Sequence, residues 1–244
     1  MSIVKEITTL ALTKMHGGVC TAGIDAEGRW VRPVRPPHEA KPTKHGHEGI
    51  SDYSLLPLDF FHSGQSHLVN LAVTRFWFAD AAPHPPHIED WTLDLKRKPQ
   101  LLNKLSGEEQ QHFLAAHVER DLAPLCRRHK RSLMLIEPES FSFSFGRNQT
   151  GDDVSVRASF VCGGEAFSDI GCTDLRMRAL GRKLLEKSGG AKASLDNEDF
   201  KRHGKQATYL TLGLSRLFQN KHWLLLVGVH SLPELAIEID YAKL

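Results

Sequence analysis

Cysteine is scarce in this 244-residue chain: Cys20, Cys126, Cys162 and Cys172 are the only four, and no two form a C-x-x-C pair. That spacing excludes a zinc cluster or a disulfide framework as the organising element and predicts reduced, mostly buried thiols. Long apolar runs are missing as well. Nothing approaches the roughly 20 residues that span a bilayer, so no membrane partner is expected. The opening MSIVKEITTLALTK carries Glu6 early and threonines at its centre, without the apolar stretch or cleavage site of a signal peptide. It reads as a strand of a cytoplasmic protein. The formal net charge is only +2, so any nucleic-acid footprint has to lie in local patterning. There is no P-loop, no G-x-S-x-G elbow and no Rossmann glycine pattern. The 14 histidines form no H-E-x-x-H, and the pairs His45/His47, His84/His87 and His112/His117 lack a further ligand at finger spacing. No cofactor and no metal is expected, and the chain reads as non-catalytic.

What is present is β-rich patterning. Residues 2–12 predict a strand from their β-branched side chains. Residues 18–25 and 29–35 predict a hairpin across Asp25-Ala26-Glu27-Gly28, with Gly28 free to take positive φ. Residues 36–66 read as a long Pro-, Gly- and His-rich loop and 66–79 as a strand. The prolines of APHPPHIEDWTLD argue against a central strand there. A helix is expected within 98–120, opened by the capping-box pair Ser106 and Glu109. The second half predicts a strand over 132–145 bent near Pro138, and a hairpin over 153–171 turning at Gly163-Gly164. A helix capped by Thr173 or Asp174 follows, with Met177, Leu180, Leu184 and Leu185 on its buried side. Residues 188–206 read as a flexible loop, and two strands close the chain. Three strands, a helix and two strands is the order of an OB fold. The expected architecture is mainly β: two consecutive OB-like barrels (1–97 and 132–244) joined by a helical connector (98–131).

Several stretches together resemble a bacterial family, the dual OB-containing domain. They are VKEITTLA at 4–11, GGVCTAGID at 17–25, GRWVRPV at 28–34 and PHIEDWTLD at 86–94, with looser matches at 157–174 and 209–230. The resemblance implies two OB-like barrels and nucleic-acid or nucleotide recognition, as a sensing or targeting part of a bacterial defence system acting beside an effector protein. It implies no set of catalytic residues.

The candidate binding residues follow from charge and aromatic placement. On a strand Trp30, Arg32 and Val34 share one face, and Arg29, Val31, Pro33 and Arg35 the other. As ligand residues, Trp30 stacks a base and Arg32 or Arg35 takes a phosphate. As structural residues, Trp30 joins the core and Arg32 reaches a carboxylate. Phe141, Phe143 and Phe145 alternate with serines and read as barrel core or, alternatively, as a stacking platform; Arg147 follows them at a barrel rim. Arg176, Arg178, Arg182, Lys183, Lys201, Arg202 and Lys205 form a basic set that, if gathered on one groove, tracks phosphates. If not, it is a solvated face. The resulting expectation is a nucleic-acid-binding protein. A small nucleotide or modified-base sensor and a protein scaffold are the alternatives.

Overall fold

The computed structural model describes residues 2–15, 18–36, 58–63, 65–66, 68–147, 153–190 and 192–239. In chain order the elements are β1 (Ile3–Met15), β2 (Gly18–Asp25), β3 (Trp30–Val34), α1 (Leu58–Phe61), β4 (His62–Ser63), β5 (Gln65–Ser66), β6 (Ala72–Ala81), β7 (Asp90–Leu93), β8 (Gln100–Lys104), α2 (Gly107–His117) and α3 (Ala123–Cys126). There follow β9 (Leu133–Ile136), β10 (Ser140–Arg147), β11 (Val154–Cys162), β12 (Glu165–Cys172), α4 (Leu175–Lys187), β13 (Lys192–Asp196), α5 (Asn197–Arg202), β14 (Ala207–Leu214) and β15 (Leu224–Leu232).

Closure of the first barrel depends on the length of β1. Its first half pairs antiparallel with β6 and its second half with β2, and the register slips between Thr9 and Ala11 where the partners change. Gly23 faces that slip, and a Cβ there would stand 2.0 Å from the Thr8 carbonyl oxygen, so only glycine fits. The circuit closes through β3, which runs parallel to β7, and through β7 antiparallel to β6. This is OB topology, and β8 adds a strand to the outer side of β6. Ile7, Leu12, Val19, Val31, Phe76, Phe78 and Leu93 fill the interior, joined by Phe60 and Phe61 of α1. Each such side chain contributes about 1.5–3 kcal/mol of transfer free energy on burial.

The second sheet repeats the order with its first strand broken. β9 pairs with β14, Pro138 interrupts the run, and β10 resumes against β11. β12 runs parallel to β15, and α4 connects the third strand to the fourth. Asp174 caps α4 by accepting from the backbone N–H groups of Arg176 and Met177. Phe141, Phe143 and Phe145 all point into this core with Phe160, Met177 and Leu212. The fold is thus mainly β, two OB-like units with few helices. Among the described residues no helix is long and apolar enough to cross a membrane.

Four elements differ from expectation. Residues 90–93 form β7 inside the first barrel, because Pro83, Pro85 and Pro86 all fall in the turn before it and leave its ladder donors intact. Residues 100–104, assigned above to the helical connector, form β8 on the first sheet. The polar stretch 188–206 contains β13, with Ala193 and Leu195 packed against the core, and α5. A capping box between Asp196 and Asp199 opens α5. The expected loop over 36–66 lies mostly outside the described residues, as do His45 and His47.

The barrels meet along the outer face of β1, β2 and β3. Leu10 and Ile24 pack with Leu135, Tyr209 and Leu232 of the second unit and with Leu114 of α2. Ala11 and Ala22 pack on Leu133. At Gly228 a Cβ would stand 2.1 Å from the Leu10 carbonyl oxygen, so β15 lies backbone-to-backbone against β1. The strand-2 and strand-3 face, where OB domains take oligonucleotides, is therefore covered in the first barrel.

Candidate functional site: a cleft between the barrels

Val31 faces the first barrel's interior, so by alternation Trp30 and Arg32 face outward, into the seam. Arg32 is only 8% exposed. Its Nε donates to Asp90 at 2.7 Å, and Glu89 stands 3.7 Å from its guanidinium. Arg216 of the second unit binds the other oxygen of Asp90, so two cations and two carboxylates close the seam there. Arg176 is equally buried, paired with Glu234 at 3.0 Å and donating to the Val229 carbonyl. Placement corrects the expectation that Arg32 and Arg176 present guanidinium groups to a phosphate: both stand inside the fold with carboxylate partners.

Several of the other predicted cations, all on the second unit except Arg35, are held by neighbouring acids or carbonyls. Arg178 and Arg182 share Asp153. Lys201 pairs with Glu198 and Arg202 with Asp199 along α5, and Lys205 donates to the Glu234 carbonyl. Lys183 is exposed on α4, Arg147 is exposed at the end of β10, and Arg35 is half-buried just beyond β3. On the second barrel the outer face of β11 and β12 is open. It carries Ser155, Arg157, Ser159, Ala166 and Ser168, with Arg157 held by Asp169, and offers no aromatic surface for stacking.

Aromatic surface is found instead beside the seam. Trp30, half-buried, forms one wall of a cleft of about 390 Å³ whose other apolar walls are Val31, Ile88, Trp91 and Leu133. These residues come from β3, from the turn before and the start of β7, and from β9 of the second unit, so both barrels build the cleft. Lys5, Arg29 and Arg131 supply cations to its lining, and Asp25 and Glu89 supply anions. The Lys5 ammonium lies 4.5 Å from the Trp91 ring centroid, a cation–π contact that fixes the indole plane.

Asp25 organises the cationic side. Lys5 donates to it from β1 at 2.8 Å, and across the turn that Gly28 closes with φ +76° the Arg29 backbone N–H donates at 2.9 Å and the Arg29 side chain at 3.1 Å. Burial works to raise the Asp25 pKa, but the hydrogen bonds from Lys5 and Arg29 outweigh it and hold the carboxyl at about 2. Arg29 nevertheless keeps most of its side chain in solvent. Arg131 pairs with Glu119, and Glu89 accepts from Ser132. The cleft thus joins apolar aromatic walls to a rim of cations held in place by buried acids. No nucleophile–base pair lines it, and no group of metal-binding side chains is found among the described residues.

Ile88 and Glu89 of the cleft belong to the loop 82–89, which connects the fourth and fifth strands of the first barrel; the matching loop of the second is 215–223. The two loops touch. The His87 and His222 rings are 5.5 Å apart, next to the Arg216–Asp90 pair. His87 is buried, with neither ring nitrogen hydrogen-bonded among the described residues. Burial, then the nearby Arg32 and Arg216 cations, push its pKa down to about 2, so it is neutral.

Sequence reasoning picked out Trp30 but missed Lys5, Ile88, Trp91 and Arg131. Trp91 lay in a family string and Arg131 ended a basic run, yet nothing local joins them to β3; only the parallel β3–β7 pairing and the seam do.

A sequence model of the dual OB-containing domain matches residues 5–229, nearly the whole chain, and the chain belongs to that family. No curated protein matches it.

Proposed function

We propose that this dual OB-domain protein is a non-catalytic recognition module that takes one base-bearing unit, from a nucleotide or a nucleic acid, into the inter-barrel cleft. The observation that carries this reading is the union, in one 390 Å³ cleft, of two tryptophans with Arg29, Arg131 and Lys5 at the lining. Small-ligand sites typically span about 300–1,000 Å³ and combine apolar walls with few polar groups. An indole wall stacks a planar base, worth about 1–3 kcal/mol per base, and the exposed Arg29 guanidinium suits a phosphate. The same chemistry rejects a neutral aliphatic ligand, which leaves the cations unused. On this reading the protein works in the cytoplasm, beside an effector protein of a bacterial defence system.

Isothermal titration with a panel of mononucleotides tests the proposal. Saturable binding is expected, weakened about tenfold by Arg29→Ala. Binding that ignores both Arg29→Ala and Trp30→Leu, or no binding across the panel of nucleotides and short oligonucleotides, refutes it.

A further inference from the structure

We infer that the base taken into the cleft is guanine, read along its Watson–Crick edge by Glu89 and Arg131. The inference rests on the cleft reading above and names the ligand class of that site. An indole holds a base by its face, which every base has. One base is told from another by the edge it turns to the polar groups around it.

The lining has few polar groups with hydrogen-bonding capacity to spare. Of its two carboxylates, Asp25 is saturated. Its Oδ1 accepts from the backbone N–H groups of Glu27 and Arg29, and its Oδ2 from Lys5 and from Nε and Nη2 of Arg29. Glu89 is not saturated. Its Oε1 accepts from Ser132 Oγ and lies 3.7 Å from the Arg32 guanidinium, while Oε2 accepts from no group among the described residues. That oxygen is not sealed in either: the fully buried side-chain atoms without a partner include Nε of Arg131 but no oxygen of Glu89. Glu89 lines the cleft with a side chain only 3% exposed, so the cleft is the space its free oxygen meets.

Arg131 stands beside it. It precedes Ser132, the donor to Glu89, and lines the same cleft. Glu119 takes one of its terminal nitrogens, and the other has no partner among the described residues. Lys5 is committed to Asp25 and to the face of Trp91, and Arg29 lies out in solvent, where a phosphate reaches it.

Charge then selects the edge. A carboxylate only accepts and a guanidinium only donates. Side by side they call for a base with an acceptor followed by two donors. Guanine carries O6, N1–H and the N2 amine in that order. Adenine, cytosine and uracil each set a lone pair against one of the carboxylate oxygens, and a buried acceptor facing a lone pair is left unpaired at a cost. Asp90 and Arg32 form the neighbouring ion pair, which keeps the Glu89 backbone in place through the Arg32 N–H bond to its carbonyl.

Calorimetric titration of the full chain with GMP, IMP, AMP, CMP and UMP tests the inference. GMP is expected to bind about 5–100-fold tighter than AMP, CMP or UMP, the discrimination typical of one bidentate base contact. IMP, which lacks the N2 amine, should fall between. 1-Methyl-GMP, whose N1–H is gone, should bind no tighter than AMP, a comparison that needs no variant. Glu89→Gln keeps an acceptor for Ser132 and should bring GMP down to the level of AMP without weakening AMP, whereas a damaged fold weakens every nucleotide alike. Arg29→Ala should weaken all of them by a common factor and leave their ratios in place. A GpA dinucleotide run beside GMP distinguishes the source of the base: tighter binding than GMP marks a strand, equal or weaker binding a free nucleotide. Equal affinity for the five nucleotides, preference for another base, or a guanine preference that survives both 1-methylation and Glu89→Gln overturns the guanine assignment, and the cleft reading stands if Arg29→Ala still weakens binding. Guanine-selective binding indifferent to Arg29→Ala and Trp30→Leu overturns the cleft reading instead. No binding to any of these ligands overturns both.

Discussion

Replacing Arg32 by methionine separates a structural cation from a ligand-binding one. In the seam Arg32 faces Asp90 at 2.6 Å and Glu89 at 3.7 Å, and the side chains of all three are at most 10% exposed. Removing one partner of a buried ion pair costs about 3–5 kcal/mol, because the other charge is left without compensation. Here Arg216 still neutralises Asp90 and Ser132 still donates to Glu89, so the loss should sit at the low end, about 3 kcal/mol. For a chain of this length about 2–4 °C is lost per kcal/mol, which places the fall in thermal midpoint at about 6–12 °C. Asp90→Asn leaves two guanidinium groups facing each other with Glu89 alone to balance them, and should fall further, toward about 5 kcal/mol. Differential scanning calorimetry measures both, with nucleotide titration of the folded variant alongside. The reasoning is refuted if Arg32→Met melts within about 2 °C of the parent and yet loses nucleotide binding, since Arg32 would then be holding ligand rather than the seam.

Acidification should destabilise the protein well above the carboxylate range. His87 and His230 both keep pKa values far below an ordinary imidazole: burial comes first for each, with Arg32 and Arg216 adding to it at His87 and Arg176 at His230. The unfolded chain takes up those two protons near pH 6.5 and the folded chain does not, so their contribution is whole above pH 6.5 and shrinks as pH falls, by up to about 2.7 kcal/mol per pH unit. Urea midpoints at pH 7, 6 and 5 check this, and a flat profile would sink it. His87→Leu should about halve the slope without lowering the midpoint at pH 7, since no hydrogen bond is lost. Gly228→Ala tests the seam: its Cβ would stand 2.1 Å from the Leu10 carbonyl oxygen, and the overpacking should cost at least about 1–3 kcal/mol. Faster proteolysis between β8 and β9 should accompany the loss, and an unchanged digestion pattern would show that the barrels accommodate the methyl without separating.

Local patterns read correctly wherever one physical rule acted alone. The Ser106–Glu109 capping box opens α2, Pro138 divides β9 from β10, Gly163-Gly164 turns β11 into β12, and Asp174 caps α4. Misreadings came where two rules competed. Prolines masked β7 because they lie one turn upstream of it, and the polarity of Lys192–Asp196 hid the alternation of Ala193 and Leu195. The aspartate pair that opens α5 does the same work as a serine–glutamate box but lacks its letters. Charge was the least legible. A run of basic residues has the same appearance whether its members meet phosphates or neighbouring carboxylates, and Arg32 finds its partners 57 and 58 positions away, across a parallel pairing no local window contains.

The opening strand shows why the candidate site belongs to the pair of barrels rather than to either one. Alternation puts Trp30 and Arg32 on the outer face of the first barrel, the face that OB domains commonly reserve for ligand. Left in water, that face would offer a phosphate a free guanidinium. Docking the second barrel onto it removes Arg32 from solvent, and the charge is tolerated only because Asp90 and Glu89 of the neighbouring strand and turn come with it. The same docking leaves the edge of the face uncovered, where Trp30 is half-buried and Leu133 and Arg131 of the second unit complete the wall. The seam therefore trades a broad open surface for a narrow cleft with an aromatic side, and it brings the two strand-four-to-five loops into contact at His87 and His222. Arg32 and Trp30 share a face and a history in the chain, yet one holds the barrels together and the other looks into the space their union creates.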